Sequence, residues 1–378
     1  MARNTQQRGK SALATKASDT LPGSLPGQVV LVLQGGGALG AYQVGVYEAL
    51  HEAGIEPDWV IGTSMGAING AIIAGNTPEN RLPRLREFWH RMEYNSRLLP
   101  GMNSAMTTLA TVTQGIPAFF APNPASWRGA NAGVGIEQAA YYLTDRLRNT
   151  LAELVDFDYI NGRHTRLTVG AVNARSGEMR YFDSREQTIS ALHVMASGAL
   201  PPAFPAVRID GEPYWDGGIY SNTPIEAVLD DRPRRDSVIF SVQVWNPVGP
   251  EPDTLLEVMA RQKDIQYASR ASNIERQRQL HHLRHVIREL ALHLPEAERN
   301  SAACKELAAW GCGTTMHILK FNAPPVTGED HTKDIDFTSS GIRTRRQAGY
   351  DQAREMIARQ PWNAEVDPIE GVLIHEAV

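Results

Sequence analysis

Three short stretches of this chain carry the residue types that acyl transfer needs. In Gly62-Thr63-Ser64-Met65-Gly66 a serine stands in a glycine-flanked turn after the apolar Trp59-Val60-Ile61. Such a strand-to-helix turn strains the serine backbone and exposes its hydroxyl, which becomes a nucleophile once a base takes its proton. In Gly35-Gly36-Gly37-Ala38-Leu39-Gly40 the glycine run is bare of side chains, so its N–H groups can face an acyl oxygen at close range. In Tyr214-Trp215-Asp216-Gly217-Gly218-Ile219 an aspartate precedes two glycines, with little bulk around it. A carboxylate in a partly apolar pocket loses solvation and becomes a more useful base.

These stretches assign roles. Ser64 is the candidate nucleophile, and Asp216 could reach it directly as the proton acceptor. Oxyanion donors are expected from Gly35, Gly36 and Gly37, and from Met65 at the start of a helix, where the dipole favours negative charge. Gly40, Gly62, Gly66, Gly217 and Gly218 let neighbouring backbone segments approach. A triad would need a histidine, and His164, His193, His317 and His331 all lie outside these motifs. His281 and His285 are one helical turn apart, but no acidic third ligand follows at motif spacing. They are read as a packed or solvated pair, and no metal or other cofactor is expected.

The elements that must position these residues alternate. Strands are expected at Val29–Leu33, Trp59–Ile61, Leu167–Val172, Glu178–Phe182 and Val238–Val244, several of them continuously apolar, as suits a sheet covered on both faces. Helices are expected at Ala41–Ala53, Met65–Ala74, Ile136–Leu154 and Ile189–Met195. The order predicts an α/β fold: three α/β/α layers around a mainly parallel central sheet, with a helical C-terminal extension. The stretch from Leu98 to Arg128 is apolar but irregular, a packed loop or a mobile cover that meets lipid. Beyond Pro247, Asp253–Leu294 has helical spacing, with Leu255, Met259, Leu280, Leu283, Ile287 and Leu290 as core candidates. Its Arg261, Lys263, Arg270, Arg276, Arg278, Arg284 and Arg288 are read first as a solvated face and second as a contact for anionic headgroups. One more strand, Thr315–Phe321, could return to the sheet. The expected organisation is a disordered tail over 1–26, a catalytic domain over 27–246 and a mostly helical extension over 247–378.

Composition bounds the rest. The chain has 378 residues, 42% hydrophobic, enough for one large core. A net charge of −5 gives no global basic field and no expectation of nucleic acid. Two cysteines, Cys304 and Cys312, make no disulfide framework and fit a reducing compartment. The polar start has no apolar h-region and no run is long enough to span a bilayer. The expected setting is therefore cytoplasmic or membrane-peripheral.

Together the motifs resemble the patatin-like phospholipase family over roughly Val29 to Pro224. Four blocks occur in the family's order: Gly35–Gly40, Gly62–Gly66, Ala196-Ser197-Gly198-Ala199-Leu200-Pro201 through Phe204-Pro205, and Asp216-Gly217-Gly218 with Asn222 and Pro224. The resemblance implies a Ser64–Asp216 dyad in place of a triad, an acyl ester of a lipid as substrate, and no metal. Many bacterial members have a basic residue where this chain has Leu39. The segment Lys333-Asp334-Ile335-Asp336-Phe337 resembles part of an extension in a bacterial subgroup and receives no role from the sequence.

Other readings compete. Gly35-x-Gly37-x-x-Gly40 after a strand also fits a dinucleotide-binding fingerprint, with Glu56 or Asp58 as the acidic partner. A non-catalytic lipid-binding module on the same fold is a further alternative, and a transacylase would use the same site with a lipid as acceptor.

Overall fold

The computed structural model describes residues 25–93, 104–268, 271–326, 329–367 and 370–376. β1 (Gln28–Leu33) leads through a 3-10 turn at Gly37–Gly40 into α1 (Ala41–Glu52), and β2 (Trp59–Gly62) leads into α2 (Met65–Ala74) and α3 (Pro78–Met92). α4 (Ser104–Gln114) precedes a small hairpin of β3 (Ala121–Pro122) and β4 (Tyr142–Leu143), followed by α5 (Asp145–Leu154) and α6 (Phe157–Asn161). Then come β5 (Arg166–Asn173), β6 (Met179–Asp183), α7 (Ala191–Ser197), β7 (Val207–Ile209), β8 (Glu212–Asp216), α8 (Glu226–Leu229) and β9 (Ser237–Gln243). The last third holds α9 (Leu255–Tyr267), α10 (Ala271–His293), α11 (Glu296–Arg299), α12 (Ala302–Ala308), β10 (Met316–Asn322), α13 (Ser339–Arg359) and β11 (Val372–Glu376).

Nine strands form one sheet in the order β11-β10-β9-β1-β2-β5-β8-β7, with β6 also paired to β5. From β11 to β5 every pairing is parallel, and the pairings of β5 with β6 and β8, and of β7 with β8, are antiparallel. β1 shows why the strand is apolar throughout. Leu31 and Leu33 enter the larger core on one face, and Val30 and Val32 enter the smaller core on the other, beneath Ile225, Val228 and Leu229. α2 is apolar on every side because it is buried on every side.

The C-terminal part is built into this body. It contributes two strands, β10 and β11, where one returning strand was expected. α13 crosses α1 at glycines: a Cβ on Gly45 would lie 1.8 Å from the Arg346 carbonyl oxygen, and one on Gly349 would lie 2.1 Å from that of Tyr42. Arg346 pairs with the nearly buried Glu48 at the same crossing, at 2.6 Å.

Three expectations are corrected. Ile136–Leu154 is helical only from Asp145, because Tyr142 and Leu143 pair with Pro122 and Ala121 instead. α3 is an amphipathic helix not among those expected, burying Leu82, Leu85, Phe88, Trp89 and Met92. The core assigned to Asp253–Leu294 faces outward: Leu255 is 75% exposed, and Met259, Leu280, Leu283 and Leu290 are exposed as well. α10 turns His281 and His285 inward, where both Nε2 atoms lie 2.9–3.0 Å from the Thr314 carbonyl. Several basic residues of this stretch are held within the chain: Lys263 by Asp334, Arg278 by Glu370 and Arg284 by Asp230. Arg270, the first residues of the Leu98–Arg128 stretch and residues 1–24 of the expected tail lie outside the described residues.

Because α13 sits on α1 by backbone contact, Gly349→Val must separate the two helices. We expect it to lower the thermal unfolding midpoint, by the equivalent of about 1–3 kcal/mol. An unchanged midpoint in calorimetry would mean that α13 is an appendage of the fold.

Candidate active site

Sheet register sets the site. Gly62 pairs with Val169 across β2 and β5, and Asp216 pairs with Ala171 across β5 and β8. Ser64 lies two residues beyond Gly62, so both side chains arrive at the same level of the sheet. The glycines of the serine turn are there for approach. A Cβ on Gly62 would meet the Gly66 carbonyl oxygen at 2.3 Å, and one on Gly66 would meet that of Leu33 at 2.2 Å. β1, β2 and α2 therefore converge with no room for a side chain.

Ser64 caps α2 with φ +55° and ψ −124°, a conformation that costs a non-glycine residue free energy. Its amide is held by Ser197, whose carbonyl and hydroxyl oxygens each accept at 3.1 Å, and the Ser197 hydroxyl donates in turn to the Gly170 carbonyl at 2.6 Å. The sequence shows Ser197 as part of a motif without saying why; its task is to hold the strained bend.

Asp216 is 2% exposed. Its carboxylate accepts the Gly218 amide at 2.7 Å, and the neighbouring Ser64 side chain favours its charged form. Burial raises its pKa to about 7, and the Ser64 side chain and the Gly218 amide restrain the rise. Gly217 permits the bend beneath it, where a Cβ would lie 2.5 Å from the Gly170 carbonyl oxygen.

The glycine loop is tied down by buried polar groups. The Gln34 side-chain oxygen accepts the amides of Val244 and Trp245 at 2.6 and 2.9 Å. The Gly35 carbonyl accepts Trp245 Nε1 at 2.8 Å and Asn222 Nδ2 at 3.0 Å. Gly35 departs from its expected part as a donor, because its own amide is given to the Asn222 carbonyl at 3.2 Å. It is glycine for space: a Cβ would lie 2.4 Å from Asn222 Oδ1 and 2.9 Å from Ser64 Cβ. Since a peptide group is planar and trans, fixing the Gly35 carbonyl aims the Gly36 N–H the opposite way. Gly37 has φ +55° and Gly40 packs on Met65 and Trp89.

Ser64, Met65, Gly35, Gly36, Gly37 and Asp216 all line one cavity of about 260 Å³. Its other walls are Thr111, Val112, Phe119, Phe120, Tyr142, Leu200 and Phe204, with Trp245, Tyr267, Asp334, Ile335 and Phe337. Phe119, Phe120, Tyr142 and Phe204 pack on one another at centroid distances of 4.8–6.2 Å. The Leu98–Arg128 stretch thus supplies walls from its described part, while its Leu109 and Trp127 are 63% and 83% exposed. Among the described residues the lining contains neither a histidine nor a cation. An apolar slot with a hydroxyl, a desolvated carboxylate and bare amides at one end suits acyl transfer from a lipid-like ester.

The dinucleotide reading does not survive this geometry. Asp58 accepts the Val29 amide at 2.9 Å, at the start of β1, while the glycine loop follows its end. Glu56 is engaged by Tyr47, His51 and Arg81.

Comparison with known proteins agrees. A family model described as patatin-like phospholipase matches residues 31–229, just over half of the chain, and one described as patatin phospholipase matches residues 265–369. "Lysophospholipase nte1" of Aspergillus terreus is 63% identical over 46 residues, 12% of this chain and 3% of that protein. "Patatin-like phospholipase domain-containing protein 7" of Mus musculus is 36% identical over 92 residues, 24% of this chain and 6% of that protein. "Lysophospholipase nte1" of Aspergillus oryzae is 26% identical over 275 residues, 66% of this chain and 15% of that protein. The chain thus spans only a small part of these relatives' lengths. Among solved structures, VipD from Legionella pneumophila matches with a TM-score of 0.39 and 17% identity, covering 92% of this chain and 72% of that one.

The buried carboxylate carries a stability signature. Its pKa is raised in the folded state, so its contribution to stability is fully present below the unfolded value near 3.8 and is lost as pH rises through about 7. Asp216→Asn removes that penalty. Its thermal midpoint should exceed the wild type's at pH 8, with the gap closing toward pH 5. A gap that stays constant with pH would show that the carboxylate is not desolvated.

Proposed function

The chain belongs to the patatin-like phospholipase family, and from that premise we propose that it is a lipid acyl hydrolase working through Ser64 and Asp216. The observation that carries the reading is the placement of Ser64 and the buried Asp216 carboxylate in the wall of one cavity, which has no cation among its described residues. Ser64 Oγ attacks the ester carbonyl and Asp216 takes the proton. With a pKa of about 7, Asp216 is ionised often enough near neutrality and basic enough to accept it. The carbonyl oxygen becomes an oxyanion that the N–H groups of Gly36, Gly37 and Met65 receive, supported by the α2 dipole. Asp216 then hands its proton to the departing alcohol. Water enters by the same route, giving up a proton to Asp216 as it attacks the acyl-Ser64 ester, and Ser64 recovers that proton as the acid leaves.

The substrate is a carboxylic ester of a lipid whose acyl chain lies in the aromatic slot. A cavity of about 260 Å³ falls just below the ~300–1,000 Å³ usual for small-molecule sites, so it takes one chain and leaves the remainder of the lipid outside. Among the described residues no helix is long and apolar enough to cross a membrane. The exposed Leu109, Trp127, Tyr141 and Tyr220 are suited to peripheral contact with a lipid surface.

A fluorophosphonate probe should label Ser64, located by peptide mapping. Ser64→Ala and Asp216→Asn should each lower turnover of a p-nitrophenyl acyl ester by roughly 10⁴-fold with the fold retained. Probe attachment at another residue, or full activity in either variant, would refute the assignment.

The pH profile gives a separate check. Because protonation silences the base, kcat/KM should fall about tenfold per unit below pH 7. A rate that is flat from pH 7 down to pH 5 would remove Asp216 from the role of base.

A further inference from the structure

The segment Lys333-Asp334-Ile335-Asp336-Phe337 holds three charged and two apolar residues, and the fold puts the two sets to different uses. Its charged members tie it to the surrounding elements. Lys333 Nζ donates to Asp264 at 2.6 Å and stands 5.4 Å from the Trp245 ring centre. Asp334 accepts Lys263 Nζ at 2.7 and 3.0 Å. These two ion pairs cross between neighbouring residues of α9 and neighbouring residues of the segment. Asp336 is held by Arg345, which is 4% exposed and also pairs with Glu329 at 3.0 Å.

The apolar members line the cavity. Ile335 and Phe337 belong to its wall, and Phe337 stacks on Trp89 at 6.3 Å. The segment also presses on the glycine loop: a Cβ on Gly37 would lie 2.2 Å from the Asp334 carbonyl oxygen. The same region clamps the loop from α9, where the Tyr267 carbonyl accepts Asn222 Nδ2 at 2.7 Å and Gln34 Nε2 at 3.3 Å.

We propose that Ile335 and Phe337 are acyl-chain specificity determinants, forming a wall that the crossed pairs Lys263–Asp334 and Lys333–Asp264 hold against the glycine loop. The inference rests on the acyl hydrolase reading and adds to it where chain selection is made. The aromatic group of Phe119, Phe120, Tyr142 and Phe204 forms one side of the slot and is interlocked ring on ring. Another part of the lining is a short segment tied by four charged side chains, which are between 14% and 33% exposed. Ion pairs so placed add little net stability, but they fix register, and here the register decides how much room an acyl chain has.

The test uses the full chain and p-nitrophenyl esters of increasing acyl length, so that the leaving group never changes. Ile335→Ala should raise the ratio of kcat/KM for hexadecanoyl over octanoyl ester by about tenfold, the low end of what a methylene or two is worth in an apolar pocket. Phe337→Leu should move the ratio in the same direction. Asp334→Ala should do so as well, and the exchanged pair Lys263→Asp with Asp334→Lys should bring the ratio back toward wild type. Labelling of Ser64 by the fluorophosphonate is followed in every variant. If labelling persists while the ratio stays unchanged in Ile335→Ala and Phe337→Leu, the specificity wall is refuted. If the ratio shifts in these but the exchanged pair fails to restore it, the ion-pair part is refuted. A wild-type protein that takes no label at Ser64 overturns the hydrolase reading instead.

Discussion

A carboxylate removed from water with no cation beside it is the interaction on which the rest of this structure depends. An isolated charge in a protein interior is costly, and folding meets that cost either by pairing it or by letting it take up a proton. Among the described residues Asp216 has the Gly218 amide and the neighbouring Ser64 side chain and no cation. Two neutral donors keep the carboxylate ionisable without making it an ordinary acid. Elsewhere in the chain the opposite solution is used: Asp183 and Asp231 share the Arg166 guanidinium, and Asp231 also meets Arg185. The two arrangements differ in purpose. A paired carboxylate fixes structure, whereas one kept between its charged and neutral forms can move a proton.

Holding Ser64 against that carboxylate requires three backbone segments in contact, and this explains the glycines. Gly62 and Gly66 are packed against carbonyl groups of Gly66 and Leu33, and Gly217 against that of Gly170. The strain at Ser64 is held by the Ser197 bonds to its amide and by the wholly buried helix that follows. A chain with alanines at these positions could form the same sheet but could not bring its serine turn, glycine loop and aspartate to one level.

How much of this was legible in the sequence follows from the range of each interaction. Glycine turns after apolar strands are local, so Ser64, Asp216 and the loop at Gly35–Gly40 were readable, as were β1, β2, β5, β6, β9, β10 and the α2 boundaries, whereas β7, β8 and β11 were not among the expected strands. Interactions between distant segments were not. Gln34, Trp245 and Tyr267 anchor the loop through contacts more than two hundred residues apart, and no spacing announces them. Gly35 read as a donor because a bare glycine run looks uniform; only the Asn222 carbonyl distinguishes its amide from the next two. In α10 the apolar period was real but misleading, since the face turned inward is marked by two histidines whose Nε2 atoms meet one carbonyl.

Leu39 ties these threads together. In the resembling family this position is often basic, and here the side chain is 5% exposed within the larger core. A cation near the glycine loop would stabilise the ionised form of a neighbouring carboxylate and pull its pKa down. With leucine there, the charged residues among the described members of the cavity wall are Asp216 and Asp334, and Asp334 is paired with Lys263. Desolvation and oriented main-chain dipoles then weigh heavily on the Asp216 carboxylate. In the proposed mechanism oxyanion support comes from amides, whose aim depends on the Gly35 carbonyl being gripped by Trp245 and Asn222. The polar clamp behind the loop and the apolar residue within it are two halves of one solution: geometry supplies what a cation would otherwise supply, and the base keeps its affinity for a proton.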